Sequence, residues 1–234
     1  MKPATDIESN PAPVSPRQMR VMLFDDHPLV NQGLATLLRT TNDLVLNASF
    51  SNEHEVLAEI EKQPPDLLIL DLSLPGTSGL DILKDLHLRY PALKVLILSM
   101  REEDVYAERV LKAGAMGYIM KQEPGPEIIH AIRRVLSGNI YISRNVESKL
   151  LSRLISPATP DEKHAVPEVL DDRELQVFSK IGDGLSTKQI AAALHLSPKT
   201  IQTYRDRIKR KLGLHHSCEL IHCATRWVES DPVR

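Results

Sequence analysis

Short apolar runs alternate along the first part of the chain with stretches in which apolar residues recur at helical spacing. A run of four apolar residues such as Val21–Phe24 is typical of a strand covered on both faces. The same pattern predicts strands at Val21–Phe24, Leu44–Phe50, Leu67–Leu72, Val95–Leu98 and Gly117–Met120, and helices at Pro28–Thr40, Glu53–Lys62, Gly79–Tyr90, Glu103–Ala113 and Pro126–Ser137. Strands and helices that alternate over short connections predict a doubly wound, five-stranded parallel α/β sheet.

The pattern changes after residue 140. Asn145–Ile155 keeps helical spacing, but residues 156–163 have the composition of a linker and no periodicity. Beyond them the spacing predicts four helices, at Asp171–Ile181, Thr187–Leu194, Pro198–Leu212 and Ser217–Val228. The second and third of these helices are separated by three residues, and two helices across such a turn are the helix-turn-helix signature. The second unit is therefore predicted to be smaller and all-α.

Charge and composition divide the chain in the same way. We predict four segments: a proline-containing disordered arm at residues 1–18, a sheet domain at 19–140, a linker at 141–168 and a helix-turn-helix domain at 169–234. Residues 19–140 hold 12 Lys+Arg against 17 Asp+Glu, whereas residues 169–234 hold 11 against 8. An acidic first domain and a basic second domain favour different partners for the two.

No stretch of the sequence has the composition of a membrane span or a secretion signal, so we expect a cytoplasmic protein. Cys218 and Cys223 are then expected to be reduced thiols. With His215, His216 and His222 they also suggest a zinc site. Their spacing matches no standard zinc framework, and packing of the last helix is the preferred interpretation.

Polar residues follow four of the predicted strands. They are Asp25 and Asp26 after the first strand, Asp71 at the end of the third, Ser99 after the fourth and Lys121 after the fifth. Each alone has an ordinary explanation as a turn residue, a cap, a strand-end hydroxyl or a solvated charge. The carboxyl ends of parallel strands meet at one edge of the sheet, where ligands bind, so together these residues predict a site.

The chemistry of these side chains is consistent with one reaction. Clustered carboxylates offer oxygen ligands that suit a hard cation that keeps its waters, which predicts Mg²⁺. Asp71 is then a candidate nucleophile toward a phosphoryl group. Lys121 would neutralise the phosphoryl oxygens, and the Ser99 hydroxyl would donate a hydrogen bond to them.

With Pro75, Gly76 and Gly79 after the third strand, this set resembles the receiver domain of two-component response regulators over about residues 19–140. The resemblance implies a flavodoxin-like fold and transfer of a phosphoryl group from a histidine kinase to Asp71. It also implies a regulator that is not an enzyme.

The resemblance further implies a role for each residue of the site. Mg²⁺ would be held by Asp25, Asp26, Asp71 and the backbone carbonyl of Ser73. Ser99 would be the switch hydroxyl, Lys121 the phosphate-pairing lysine and Tyr118 the switch aromatic. An ordinary aromatic at the edge of the core would also fit at Tyr118. The proline-rich segment Gln122–Pro126 departs from the family pattern and leaves the start of the next helix open.

The predicted helix Pro198–Leu212 has two different faces. Its apolar face carries Ile201, Tyr204, Ile208 and Leu212, and its basic residues are Lys199, Arg205, Arg207, Lys209, Arg210 and Lys211. A solvated charged face is the ordinary meaning of such a run. Because this is the second helix of the helix-turn-helix, we predict instead that it enters the major groove of double-stranded DNA.

Residues 169–230 resemble the DNA-binding domain of NarL/LuxR-type regulators. The motifs that carry this resemblance are Asp172–Leu175, Gly184–Ala191, Leu196–Ile201 and Arg207–Gly213. The implied base-facing residues are Gln202, Thr203 and Asp206, and the implied DNA-backbone contacts are Lys199, Thr200, Arg205 and Lys209. The family commonly has Lys at position 202 and His at 204, so Gln202 and Tyr204 suggest a different operator. Asp206 is also placed to pair with Arg205 or Lys209, which is the preferred interpretation.

The two resemblances imply a phosphorylation-controlled, DNA-binding transcription regulator that acts as a homodimer. One alternative is a phosphotransferase or phosphatase of the haloacid-dehalogenase kind. Those enzymes carry a second Asp two residues after the nucleophile, where this chain has Ser73. A receiver that works without phosphate is also consistent with the sequence.

Overall fold

The computed structural model describes residues 18–74, 78–100, 103–155 and 169–229. Most of the predicted arm, the predicted stop at Pro75–Gly76 and the linker predicted after Ile155 lie outside these ranges.

A parallel sheet organises the first unit of the described chain. Its five strands are β1 (Met19–Phe24), β2 (Leu44–Phe50), β3 (Leu67–Leu70), β4 (Val95–Ser99) and β5 (Gly117–Met120), in the order β2-β1-β3-β4-β5. Every neighbouring pair is parallel, which confirms the predicted fold class. The strand order reverses direction between β1 and β3, and in sheets of this kind the crevice at such a reversal binds ligands.

Helices cover both faces of this sheet. They are α1 (Pro28–Leu38), α2 (Glu53–Lys62), α3 (Gly79–Arg89), α4 (Glu103–Lys112) and α5 (Gly125–Leu136), followed by α6 (Arg144–Ile155). Val21 and Leu23 of β1 join one apolar cluster with α1 and α5, whereas Met22 and Phe24 join the cluster on the opposite face. Because alternate residues enter different cores, strands of this sheet are apolar at every position.

The second unit of the described chain consists of helices. They are α7 (Asp172–Gly182), α8 (Thr187–Ala193), α9 (Pro198–Lys211) and α10 (Ser217–Glu229). The helices α7 and α8 both begin with a capping box. At the start of α7 the Asp171 carboxylate accepts from Glu174 N at 2.9 Å, and the Glu174 carboxylate accepts from Asp171 N at 2.9 Å. Ser186 and Gln189 form the same arrangement at the start of α8. Caps of this type stabilise a helix by about 1 kcal/mol each.

The segment that follows α5 packs against the sheet unit. Tyr141 N donates to Met116 O at 3.0 Å, and Tyr141 O accepts from Tyr118 N at 2.8 Å, so Tyr141 extends the sheet beside β5. The following helix α6 contacts α4, where Lys149 Nζ lies 2.7 Å from the Asp104 carboxylate. The first residues of the segment predicted as a linker therefore contact the sheet unit.

The two units also touch each other through α4. Arg109 Nη2 donates to Leu170 O at 2.9 Å, and Arg109 Nη1 lies 3.5 Å from the Asp172 carboxylate. The Ser78 hydroxyl, at the start of α3, donates to the other Asp172 oxygen at 3.2 Å. The Asp172 side chain is 5% exposed, so this contact is buried. It involves the N-terminal end of α7.

Candidate functional site

The ends of β1 and β3 bring two carboxylates together. Phe24 and Leu70 are partners in the parallel register, and each strand is followed directly by an aspartate. Asp71 N donates to Phe24 O at 3.0 Å, which holds the Asp71 backbone beside the end of β1. The side chains of Asp25 and Asp71 are both fully buried. β3 ends at Leu70 and not at the predicted Leu72, so Asp71 is the first residue beyond the strand.

Lys121 reaches both buried carboxylates from the end of β5. Its Nζ lies 2.7 Å from Asp25 Oδ2 and 2.8 Å from Asp71 Oδ2, and its side chain is 4% exposed. Lys121 N donates to Ser99 O at 2.8 Å, which couples the end of β5 to the end of β4. Two ionised carboxylates are thus held against one ammonium group. Removing one partner from a buried ion pair is costly because the other charge remains unpaired.

His27 is a member of this site that the sequence-based prediction does not include. Its Nδ1 lies 2.9 Å from Asp25 Oδ1, 3.0 Å from Asp26 Oδ1 and 3.7 Å from Asp71 Oδ2. The same atom is 3.3 Å from Lys121 Nζ. A signal was present in the sequence, since His27 directly follows the two aspartates and precedes Pro28 at the start of α1.

The side chains present fit a divalent cation. Carboxylate oxygens of Asp25, Asp26 and Asp71 and a ring nitrogen of His27 lie within 4.8 Å of one another. Asp25 Oδ2 and Asp26 Oδ1 are buried oxygens, and their short contacts are with Lys121 Nζ at 2.7 Å and His27 Nδ1 at 3.0 Å. Three carboxylates exceed the positive charge of Lys121, and oxygen ligands suit a hard cation. The three aspartates predicted for the metal site are therefore close enough together to share one ion, and the Ser73 carbonyl as a further ligand stays a prediction.

The start of α3 lies directly on the backbone of the Asp71 loop. A Cβ added at Gly79 would come within 2.7 Å of Asp71 O and 2.6 Å of Leu72 Cα, which is closer than such contacts allow. A glycine is therefore needed for α3 to approach the loop this closely. Within this loop Ser73 N donates to Asp71 Oδ1 at 3.0 Å, and this hydrogen bond orients the carboxylate.

The two predicted switch residues occupy neighbouring strands. Ser99 ends β4, which pairs with β3, and its side chain is fully buried. Tyr118 on β5 is paired with Ile97 of β4 and is also fully buried, in the apolar cluster that contains Val110 of α4. Their roles in a switch remain predictions.

The second helix of the helix-turn-helix, α9, exposes the face predicted for DNA. Ile201 and Ile208 are buried, whereas Lys199, Gln202 and Thr203 are exposed. Tyr204 and Leu212 pack partly buried on the same core as Ile201 and Ile208. Thr200, Arg205 and Lys209 are half-buried, and Asp206 is exposed. The face predicted for DNA is thus accessible.

Asp206 pairs within its own helix, as the preferred interpretation of the sequence had it. Lys209 Nζ lies 3.1 Å from Asp206 Oδ1, and Gln202 Nε2 donates to the same oxygen at 3.3 Å. The hydrogen bond from Lys209 holds the pKa of Asp206 below its usual value. Asp206 and Gln202 therefore present one hydrogen-bonded pair on the exposed face.

The cysteine and histidine residues of α10 do not assemble in this way. Among the described residues, the group formed by the three aspartates and His27 is the one set of three or more potential metal ligands with metal-site spacing. Cys218 is exposed and Cys223 is half-buried.

None of the helices that the structure describes has the length and apolar character needed to cross a membrane.

Comparisons with known proteins match both units of the chain. A model of the response regulator receiver domain matches residues 21–133, and a model of the luxR family of bacterial regulatory proteins matches residues 168–224. The oxygen regulatory protein NreC of Staphylococcus aureus is 32% identical over 211 residues, which cover 89% of this chain and 97% of NreC.

Solved structures show the same architecture. A LuxR-family response regulator from Aurantimonas sp. SI85-9A1 is 27% identical with a TM-score of 0.55, covering 59% of this chain and 99% of its own. RcsB of Salmonella enterica serovar Typhimurium, solved on the promoter rprA with phosphomimetic BeF3-, superposes with a TM-score of 0.58 over 89% of this chain and 99% of RcsB. RcsB is 23% identical and supports the fold alone.

The family matches bear out both resemblances found in the sequence, and they cover the acidic site and the exposed helix α9. A receiver domain implies a histidine kinase as partner, and a LuxR-type domain implies DNA. The chain belongs to the response regulators of two-component systems that join a receiver domain to a LuxR-type DNA-binding domain, and its function is phosphorylation-controlled transcription regulation.

Proposed function

We propose that Asp71 is the residue that accepts the phosphoryl group. An oxygen of Asp71 attacks phosphorus, and the bond from phosphorus to the imidazole of the kinase breaks with its electron pair leaving on nitrogen. The observation that carries this assignment is the buried Asp71 carboxylate, with Lys121 at 2.8 Å and two further carboxylates beside it.

The proposed cofactor is Mg²⁺, with Asp25, Asp26, Asp71 and the Ser73 carbonyl as the groups that would hold it. When bound, the ion supplies positive charge that offsets the repulsion between these carboxylates and an incoming phosphoryl group. The Ser73 amide keeps the Asp71 carboxylate oriented through its hydrogen bond of 3.0 Å. The Lys121 ammonium group is positioned to pair with phosphoryl oxygens because it already lies 2.8 Å from the Asp71 carboxylate.

The proposed switch runs from Asp71 through Ser99 and Tyr118 to α4. The Ser99 hydroxyl would donate to the new phosphoryl group, and any shift of β4 and β5 is passed to Tyr141 through its backbone hydrogen bond from Tyr118. Tyr118 shares an apolar cluster with Val110 of α4. The same helix carries Arg109, which donates to Leu170 O just before the start of α7. The proposed path from the acidic site to the DNA-binding unit therefore uses β5, α4 and the start of α7.

Arg109→Ala is expected to loosen the contact between the two units. Its loss removes the guanidinium group from Leu170 O and from the Asp172 carboxylate, which keeps the hydrogen bond from the Ser78 hydroxyl. Losing these buried contacts costs about 1–3 kcal/mol and favours local opening. Hydrogen exchange at the first amides of α7 should accelerate by roughly tenfold or more. The control is Lys112→Ala, which removes an exposed α4 lysine paired with Glu108. Unchanged exchange in Arg109→Ala would show that the contact does not hold the units together in solution.

We propose that α9 is the recognition helix and that two copies bind paired half-sites as a homodimer. Lys199, Thr200, Arg205 and Lys209 are proposed as contacts to the DNA backbone, and Gln202, Thr203 and Asp206 as base-facing residues. Gln favours adenine and Asp accepts from cytosine, so the Gln202–Asp206 pair is suited to a site containing these bases.

Replacing Lys199 or Arg205 by Ala is expected to weaken DNA binding similarly on all sequences. Each lost phosphate contact lowers the slope of log affinity against log salt by about 1. Gln202→Ala should instead change which sequences are selected from random oligonucleotides, with little change in the salt slope. Lys180→Ala is the matched control because Lys180 lies on α7 and pairs with Asp183. Equal salt slopes for Lys199→Ala, Arg205→Ala and wild type would contradict this orientation of α9.

The protein is proposed to act in the cytoplasm and to turn over no external substrate. Ser73 stands where phosphatases of the haloacid-dehalogenase kind carry a second Asp, so a general acid is missing at that position. Steady hydrolysis of a generic phosphate ester by the full chain, lost in Asp71→Ala, would favour the enzymatic alternative.

A further inference from the structure

The imidazole of His27 lies where a ligand of the proposed cation would lie. Its Nδ1 is 2.9 Å from Asp25 Oδ1 and 3.0 Å from Asp26 Oδ1. His27 N also donates to Asp25 Oδ1 at 2.8 Å, which holds the residue over this carboxylate. The ring is therefore directed into the acidic site by its own backbone, although the side chain is 49% exposed.

We propose that His27 Nδ1 is a nitrogen ligand of the cation at this site and shifts its preference from Mg²⁺ toward a transition-metal divalent cation such as Mn²⁺. The proposal rests on the proposed cation site of Asp25, Asp26 and Asp71. It adds to that site a ligand that differs in chemistry from the oxygen atoms around it.

The spacing of these atoms supports the proposal. Two neighbouring ligands of an octahedral ion with bonds of about 2.1 Å are about 3.0 Å apart. The distances from Nδ1 to Asp25 Oδ1 and Asp26 Oδ1, 2.9 and 3.0 Å, are close to this value. Nδ1 is farther from Asp71 Oδ2, at 3.7 Å.

The charges around Nδ1 are consistent with a ligand role. Lys121 Nζ is 3.3 Å from Nδ1, and an ammonium group has protons to donate but no lone pair. Without an ion, an Nδ1–H would donate to the Asp25 and Asp26 carboxylates, which only accept hydrogen bonds. The neutral imidazole protonated on Nε2 has its lone pair on Nδ1, and this is the tautomer that can accept from Lys121 or bind a metal ion. Imidazole nitrogen binds transition-metal ions, Zn²⁺ and Co²⁺ strongly and Mn²⁺ more weakly, whereas Mg²⁺ takes oxygen ligands and water.

The test compares Mn²⁺ and Mg²⁺ binding to the full chain. Bound Mn²⁺ is counted by electron paramagnetic resonance, and Mg²⁺ affinity follows from competition. His27→Ala is expected to weaken Mn²⁺ binding by about 10-fold or more, as losses of metal-site partners do, while Mg²⁺ binding changes much less. Pulsed resonance spectra of wild type should contain the modulation of a directly bound ¹⁴N, and His27→Ala should lack it.

His54→Ala is the matched control, since His54 is an exposed histidine in the first turn of α2. The proposal is overturned if wild type shows no bound nitrogen, or if His27→Ala weakens Mn²⁺ and Mg²⁺ equally, as a residue that merely positions the carboxylates would. A separate result would overturn the proposed cation site itself: no divalent cation binds wild type any better than Asp26→Asn.

Discussion

Replacing Asp71 by Ala is expected to abolish labelling of the chain by a small phosphodonor in the presence of Mg²⁺. The substitution removes the carboxylate oxygen that would attack phosphorus, and the methyl group left behind has no nucleophilic atom. The fold is expected to survive, because Lys121 keeps its contact of 2.7 Å with Asp25 and one of the crowded carboxylates is gone. Intact-mass spectrometry measures the phosphorylated fraction directly.

Asp81→Ala serves as the matched control for this experiment. Asp81 lies in the first turn of α3, ten residues after Asp71 in the sequence, and its side chain is 70% exposed. It should label like wild type, and a metal chelator should abolish labelling of both. Asp71→Ala that labels as fast as wild type would show that the phosphoryl group is carried elsewhere, for example on Asp26, whose side chain is 30% exposed.

Replacing Lys121 by Ala is expected to destabilise the sheet unit by about 3–5 kcal/mol. The lysine lies between two fully buried carboxylates, so its removal leaves both without their ammonium partner. Urea denaturation followed by circular dichroism measures the loss in the free energy of unfolding. Added Mg²⁺ should restore part of it, because the ion supplies charge to the same oxygens.

Two variants separate the ion pair from other causes of instability. In Asp25→Asn with Lys121→Ala, one of the two buried charges is removed with the lysine, so much of the stability should return. Lys84→Ala removes an exposed lysine paired with Asp81, and such surface pairs contribute about 0–1 kcal/mol. If the double variant is no more stable than Lys121→Ala, the charge of Asp25 is not the cause of the destabilisation.

The architecture follows from local patterns in the sequence. Buried parallel strands are apolar at each position, and the helices that cover them carry apolar residues at helical spacing. Both patterns can be recognised in the sequence without coordinates. Parallel strands point their carboxyl ends to one edge, which is why Asp25, Asp71 and Lys121 were predictable as neighbours from residues far apart in sequence. Distances of 2.7 and 2.8 Å agree with that prediction.

The end of β3 was less predictable. Leu72 is 1% exposed, so its apolar character continues the strand pattern past the last paired residue. The ladder nevertheless stops at Leu70, which pairs with Phe24 of β1 and Ile97 of β4. Burial and strand pairing are separate requirements, and residue type reports only the first of them.

By itself, the sequence determined the fold class, the two units and the set of side chains at the sheet edge, because these depend on periodicity and chain direction. Only the tertiary structure decided that His27 turns into the acidic site, that α3 rests on the Asp71 backbone at Gly79, and that Arg109 meets Asp172. In the sequence such residues look like an ordinary cap, a helix start and two solvated charges. Their partners are set by how segments that are far apart in the sequence pack together. A local sequence pattern contains no information about that packing.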